Sequence, residues 1–431
     1  MNLLGVDVRG ARSAHRSVLV MVVAMLLSPL VACTSASGSP SAAPSASSTT
    51  SVIQTPSLPV SPSTSPTALP ASADPTSLRW VEGEAPGVPA ATDAKVGQEF
   101  YVFGWSKGYL GFTSAYVKAT GVMQSLLVTS STDGLHWSSA GRLDLGKGDI
   151  PVVVTQVVEG PSGLLATAEQ VGCGWQKPAL RMWRSTDGAS WTPIDIKTVF
   201  GADALPSVSA GSAGYIVLAA SGQKRTVWTS QDGTSWQKSV IPSGGFSPQS
   251  VASFQHGFIL AGKTAVASLG CSETTGGPPP HYTGSVWSSE QGAPWAAVTL
   301  PGVLSGNETT MSAYRLNDTT VLVEEVAITK AEPNGALRDW TSSDGLTWTP
   351  TDMTRGALGD PLTDGTRTIF VRVDQDGARI RQLTPDLRLV ELNAGTDVPI
   401  PDGFGLIALG PAGLVICDVT GAQSWLGMLA P

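Results

Sequence analysis

Few side chains in this chain are suited to chemistry, and they are scattered. Past the N-terminal segment the histidines are His136, His256 and His281, too far apart for ligand spacing. Neither a histidine-based metal site nor a Ser-His-Asp arrangement follows from them. No Gly-Lys-Ser/Thr phosphate loop or dinucleotide fingerprint stands out, so no metal and no cofactor is expected. Carboxylates offer more. Glu169, Glu324, Glu325 and Asp418 stand toward the ends of apolar runs, together with Lys263 and Arg372. If a closed fold brought these ends to a common pocket, Glu169 and Glu325 would be the candidates for acid–base work on a glycosidic bond. The competing reading is ion pairing between neighbouring elements or a solvated rim.

Aromatic residues form a second set. Tyr109, Phe112 and Tyr116 follow Trp105 in segment 106–122, Trp175 lies in 170–179, and Tyr282 in 265–284. These segments, and 327–337, read as long connections, and long connections on a rigid scaffold are where binding concentrates. Trp105, Tyr109, Tyr116, Trp175 and Tyr282 are therefore candidates for stacking on a sugar or peptide. The alternative is that the rings only pack the connections down.

The elements that must position these residues are marked by a recurring cassette, Ser-x-Asp-Gly-x-x-Trp. It reads STDGLHW at Ser131–Trp137, STDGASW at Ser185–Trp191, SQDGTSW at Ser230–Trp236 and SSDGLTW at Ser342–Trp348. A fifth copy, SEQGAPW at Ser289–Trp295, carries Gln291 in place of the aspartate. Asp-Gly between strand-like runs signals a hairpin, because glycine tolerates positive φ. The carboxylates of Asp133, Asp187, Asp232 and Asp344 can accept from N–H groups of their own turns. Trp137, Trp191, Trp236, Trp295 and Trp348 then stand on the outgoing strands as packing anchors between sheets. The cassette is thus structural, and a catalytic aspartate would not be needed four times over.

The tryptophans recur at intervals of 45 to 59 residues, and each interval holds strand-length apolar runs. In the second unit these are Val152–Val158, Leu164–Glu169, Leu180–Ser185 and Ser190–Ile194, a four-stranded antiparallel meander. A glycine commonly precedes the second strand, as at Gly163, Gly214, Gly257 and Gly413. A sixth unit keeps the register, with Thr384-Pro385-Asp386-Leu387 in the turn and Val390 where tryptophan would stand. After it, Phe404–Leu409, Leu414–Val419 and Ser424–Leu429 supply three strands only. Leu78-Arg79-Trp80 resembles Leu135-His136-Trp137, so Ser77–Gly83 is expected to complete the last unit. The fold is therefore all-β, a seven-bladed β-propeller whose last blade is closed by an N-terminal strand, with six blades as the alternative.

The cassette resembles the Asp-box (BNR) repeat of sialidases and related propellers, whose usual form is Ser-x-Asp-x-Gly-x-Thr-Trp. Here one residue is missing between Asp and Trp. The resemblance implies the propeller hairpin, while an activity depends on further motifs. Sialidases carry an early Phe/Tyr-Arg-Ile-Pro and three arginines that clamp a carboxylate. The nearest match, Tyr314-Arg315-Leu316-Asn317, comes late and lacks the proline, and only Arg79 precedes Arg142 in the early domain. The arginine clamp has no residue-by-residue counterpart.

The first 33 residues read as a targeting segment. Arg9, Arg12 and Arg16 precede an apolar run, Val18–Leu27, and Leu30-Val31-Ala32-Cys33 resembles a bacterial lipobox. That resemblance implies a lipidated Cys33, a membrane partner through the lipid, and a place on the outer face of the cytoplasmic membrane. Residues 34–76 are Ser, Pro, Ala and Thr runs, expected to form a disordered tether. The propeller then spans 77–431. An oxidising compartment allows a Cys173–Cys271 disulfide, and Cys417, in an apolar strand pattern, is expected to be a buried thiol. A net charge of −8 gives no nucleic-acid footprint, and a monomer is expected. The leading functional reading is a non-catalytic binding or scaffolding module for an extracellular glycan, peptide or envelope protein. The runner-up is a sialidase-like glycoside hydrolase.

Overall fold

The computed structural model describes residues 77–86, 94–117, 123–145, 152–170, 180–266, 281–306, 308–329, 332, 335–351, 353, 361–374, 377–393, 406–418 and 422–428. Cys33, Cys173, Cys271, Trp175 and the segments 1–33 and 34–76 lie outside them, as does the side chain of Tyr116.

Seven antiparallel sheets follow one another along the chain. Blade one comprises Ala94–Trp105, Gly108–Val117, Met123–Ser131 and Ser138–Asp144, and blade two Val152–Gly160, Gly163–Gln170, Leu180–Ser185 and Thr192–Ile194. Blade three comprises Ala204–Gly211, Gly214–Ser221, Lys224–Ser230 and Gln237–Ser239. Blade four comprises Phe246–Phe254, Gly257–Val266, His281–Ser289 and Ala296–Val298, with the short Ser305–Gly306 added against Tyr282 and Thr283. Blade five runs Glu308–Arg315, Val321–Ile328, Ala336–Ser342 and Thr349–Thr351, and blade six Pro361–Thr363, Thr368–Asp374, Gly377–Leu383 and Leu389–Leu392. Blade seven takes Leu406–Gly410, Gly413–Cys417 and Ser424–Met428 from the end of the chain, and its outer strand, Arg79–Gly83, from the start. Arg79 pairs with Met428 and Gly83 with Ser424, so the ring closes as expected and six blades are excluded. One short helix, α1 (Ile196–Phe200), joins blades two and three. Among the described residues no helix is long and apolar enough to cross a membrane.

The core lies between blades. Seven apolar clusters each draw on two neighbouring blades, and the one joining Val415, Cys417 and Leu426 to Phe100, Val102 and Tyr109 seals blade seven to blade one. Alternation explains this. A strand presents successive side chains to opposite faces, and both faces of a blade meet a neighbour. Each cassette tryptophan packs into the seam with the preceding blade: Trp191 edge-on to Phe112 of blade one at 5.8 Å, Trp236 to Phe200 of α1 at 5.0 Å. Burying such a ring removes roughly 150–250 Å² from water, on the order of 4–6 kcal/mol at about 25 cal/mol per Å². In blade six Leu387 and Leu389 fill this place rather than Val390, and in blade seven Trp80 does.

The cassette turn has the geometry expected of it. In the second copy Gly188 sits at φ +76°, and Asp187 Oδ1 accepts from Ala189 N–H at 2.9 Å and Ser190 N–H at 2.7 Å. Ser185 Oγ donates to the same oxygen at 3.0 Å and accepts from Gly188 N–H at 2.8 Å. The other three full copies repeat these bonds. Where Gln291 replaces the aspartate, the buried Ser289 Oγ has no hydrogen-bond partner.

Candidate functional site

The innermost strand of each blade is its first. The C-terminal halves of these strands in blades one, two, three, five, six and seven enclose a cavity of about 370 Å³ on the ring axis. It opens beside the first-to-second hairpins. Strand direction puts the cassette turns on that same face and the second-to-third connections on the other. Phe103, Val157, Leu362, Ile407 and Leu409 supply apolar wall, while Gln156, Glu159, Arg315, Thr363 and Asp364 supply polar groups.

Each charged group here has a defined state. Arg315 ends the inner strand of blade five with a side chain 15% exposed, and its Nη1 donates to Asp318 Oδ1 at 3.2 Å. Burial pushes its pKa down, while the carboxylates of Asp318, Glu159 and Asp364 pull it back. A guanidinium stays charged under such pressure. Glu159 takes two bonds from Ser106 of blade one, from the N–H to Oε2 at 2.7 Å and from Oγ to Oε1 at 2.5 Å. Asp364 is filled. Its Oδ1 accepts from the N–H groups of Thr366 at 3.0 Å and Arg367 at 2.8 Å and from Thr366 Oγ1 at 2.8 Å, and its Oδ2 from Arg367 Nε at 2.9 Å and Nη2 at 2.7 Å. Burial alone would raise its pKa, but these donors hold the carboxyl below its ordinary value.

The carboxylates named from the sequence lie elsewhere. Glu169 and Glu325 belong to second strands, one step out from the axis, and neither lines the cavity. A second-strand side chain points at the neighbouring blade, not at the axis, which is why these residues do not converge. Glu169 is half-buried and pairs in register with Val153 and Leu180. Glu325 is completely buried between blades four and five. Its Oε2 accepts from Leu304 N–H at 2.8 Å, and Oε1 has no hydrogen-bond partner. Burial raises its pKa to about 7 against the opposing pull of the backbone amides of Leu304 and Gly284 and the charge of Arg338.

Two of the aromatic candidates are corrected as well. Segment 106–122 is not a long connection, because Ser106-Lys107 is a two-residue turn into a second strand, Gly108–Val117. Trp105 borders the cavity but is only 7% exposed, with Lys107 Nζ over its ring at 5.1 Å. Tyr109 is wholly buried and donates its hydroxyl to Gly413 O of blade seven at 2.8 Å. Both rings are core, so neither offers a face for stacking. Tyr116 lies on the same second strand. Tyr282 sits on a strand, half-buried, with Lys263 Nζ over one ring face at 4.1 Å. Glu159, Arg315 and Asp364 were not singled out as a site by sequence. Their one sequence signal is position: each stands at or next to the end of an inner strand, just before its hairpin.

A second cleft, of about 620 Å³, lies on the opposite face between Trp183, Arg181 and α1. Its Asp195 caps α1, and its Asp203 accepts from Ser221 Oγ at 3.2 Å. Among the described residues no cluster of His, Cys, Asp or Glu is placed to hold a metal ion.

No family model matches the chain, and no curated protein matches it. Solved structures do. The Trypanosoma rangeli sialidase in complex with the inhibitor DANA is 14% identical with a TM-score of 0.35, over 67% of this chain and 53% of the sialidase. This chain therefore spans about half the length of that enzyme. The β-propeller domain of the Trilobed protease from Pyrococcus furiosus is 8% identical with a TM-score of 0.45, over 78% of this chain and 94% of that one. A streptogramin B lyase is 11% identical with a TM-score of 0.40, over 81% and 98%. These are likenesses of fold alone, and the propeller assignment rests on the strand pairing itself.

Proposed function

We propose that the protein is a lipoprotein held to the outer face of the cytoplasmic membrane through Cys33, and that its propeller is a non-catalytic binding or scaffolding module for an extracellular glycan, peptide or envelope protein. The anchor reading rests on the Leu30–Cys33 lipobox and the Ser/Pro/Ala/Thr tether. The binding reading rests on one observation at the axis. Asp364 already accepts from five donors, while among the described residues Arg315 donates only to Asp318, through Nη1, and keeps its other donors. General acid catalysis needs a carboxyl with its pKa raised toward the working pH and in reach of the scissile oxygen. Asp364 is pushed the other way. Glu325 has the raised pKa but lies between two blades. What the cavity does offer is hydrogen-bond donors and apolar wall, a combination that recognises rather than cleaves.

The test is to present the protein to a glycan array and to envelope extracts, with fluorogenic glycosides run in parallel. Selective capture without turnover is expected. Turnover lost in Glu169→Gln or Glu325→Gln would establish the hydrolase reading instead. Metabolic labelling with a fatty acid tests the anchor: label is expected on the wild type and absent from Cys33→Ala.

A further inference from the structure

We infer that the axial cavity is a subsite for a small zwitterion, an apolar α-amino acid or short apolar peptide, with its carboxylate on Arg315 and its ammonium group on Glu159. The inference rests on reading this cavity as a binding site, and deepens it by naming the ligand chemistry.

Three observations carry it. First, Arg315 and Glu159 line the same cavity from blades five and two, yet they are not bonded to each other. Arg315 is bonded to Asp318, through one nitrogen. Glu159 is bonded to Ser106, once on each oxygen, and a carboxylate oxygen accepts more than one bond. Opposite charges that face one space without pairing are satisfied together by a molecule charged at both ends. Second, of the three charged groups that line the cavity, Asp364 is paired with Arg367, which leaves one carboxylate and one guanidinium, Glu159 and Arg315. One charge of each sign suits a ligand charged at both ends better than a simple anion or a simple cation. Third, the wall beside the two groups is apolar, through Phe103, Val157 and Leu362, and a volume of about 370 Å³ holds a molecule of amino-acid to short-peptide size. Asp364 does not compete for the ammonium group, because both its oxygens are already filled.

The experiment is calorimetric titration of the full-length protein with L-leucine and Leu-Leu, and with two one-ended analogues: L-leucinamide, which lacks the carboxylate, and 4-methylpentanoate, which lacks the ammonium group. A zwitterion is expected to bind tighter than either analogue by about tenfold or more, the loss of one charged contact. Arg315→Gln is expected to abolish the preference over leucinamide, and Glu159→Gln the preference over 4-methylpentanoate. Circular dichroism checks that each variant folds, and Arg315→Lys serves if Arg315→Gln does not. Equal affinity for all four probes, no binding of either zwitterion, or unchanged preference in both folded variants would overturn the inference. Loss of zwitterion binding while glycan or envelope-protein capture persists sinks this inference alone. Glycoside turnover sinks the binding-module reading from which it starts.

Discussion

Glu325 is the residue whose environment most plainly sets its behaviour. Its carboxyl is buried with one oxygen unpartnered, and its pKa is raised to about 7. The folded state therefore favours the protonated form more than the unfolded chain does. Its contribution is fully present below the ordinary glutamate pKa near 4.5 and is lost as pH rises from there through about 7. At about 1.4 kcal/mol per unit, the loss is on the order of 3–4 kcal/mol. Glu325→Gln is expected to be more stable than wild type at pH 8, with the two converging near pH 5, in urea unfolding followed by tryptophan fluorescence. The cassette aspartates behave oppositely. Asp187 is held near 2 by the N–H groups of Ser190 and Ala189, so its support is present above the ordinary value near 4 and fades toward pH 2. Asp187→Ala is expected to cost about 1 kcal/mol, as for the loss of a side-chain cap, and Asp187→Asn less, because an amide oxygen can accept the same bonds. The degenerate fifth copy has its own logic. Pro294 occupies the position whose N–H the aspartate would accept, so an aspartate at Gln291 would lack one of its two backbone donors.

Single strands and turns show how tightly neighbouring chains constrain sequence. Gly163 begins the second strand of blade two at φ +118°, and a Cβ there would stand 2.2 Å from Ser185 O on the third strand. Backbone cannot yield as a flexible side chain can. Gly163→Ala is therefore expected to cost more than about 2 kcal/mol. Gly201, the left-handed C-cap of α1 at φ +61°, has nothing within 4 Å of its notional Cβ. Gly201→Ala should cost only the left-handed penalty of about 1–2 kcal/mol. Comparing the two variants by chemical denaturation separates conformational strain from collision. The second-strand glycines were visible in the sequence. What their neighbours would be was not, because the atom they avoid belongs to the following strand, some twenty residues on, brought there by pairing.

The ring as a whole depends on its closure. Arg79–Gly83 covers the edge of Ser424–Met428, and Leu78 and Trp80 join the cluster between blades six and seven. Removing residues 1–76 is expected to leave thermal stability unchanged. Removing residues through Gly83 uncovers a strand edge and an apolar face, and is expected to lower the melting temperature sharply and to produce oligomers on size-exclusion chromatography. Closure also creates the axial cavity, since six inner strands contribute to its wall and no blade owns it.

What the residues determined alone was local or periodic. The turn chemistry of Ser-x-Asp-Gly, the tryptophan spacing, the blade number and the N-terminal closing strand all follow from short-range hydrogen bonding, positive φ and alternation. A strand was harder to see where its side chains serve a distant partner. Gly108–Val117 read as a connection because Tyr109 packs and bonds across the seam to blade seven, more than three hundred residues away in sequence. Only the tertiary structure decided which polar side chains meet. Alternation says which face a residue takes, but distance from the axis depends on strand order within the blade. That order put Glu325 into a buried joint between two blades and left the axis to Glu159, Arg315 and Asp364.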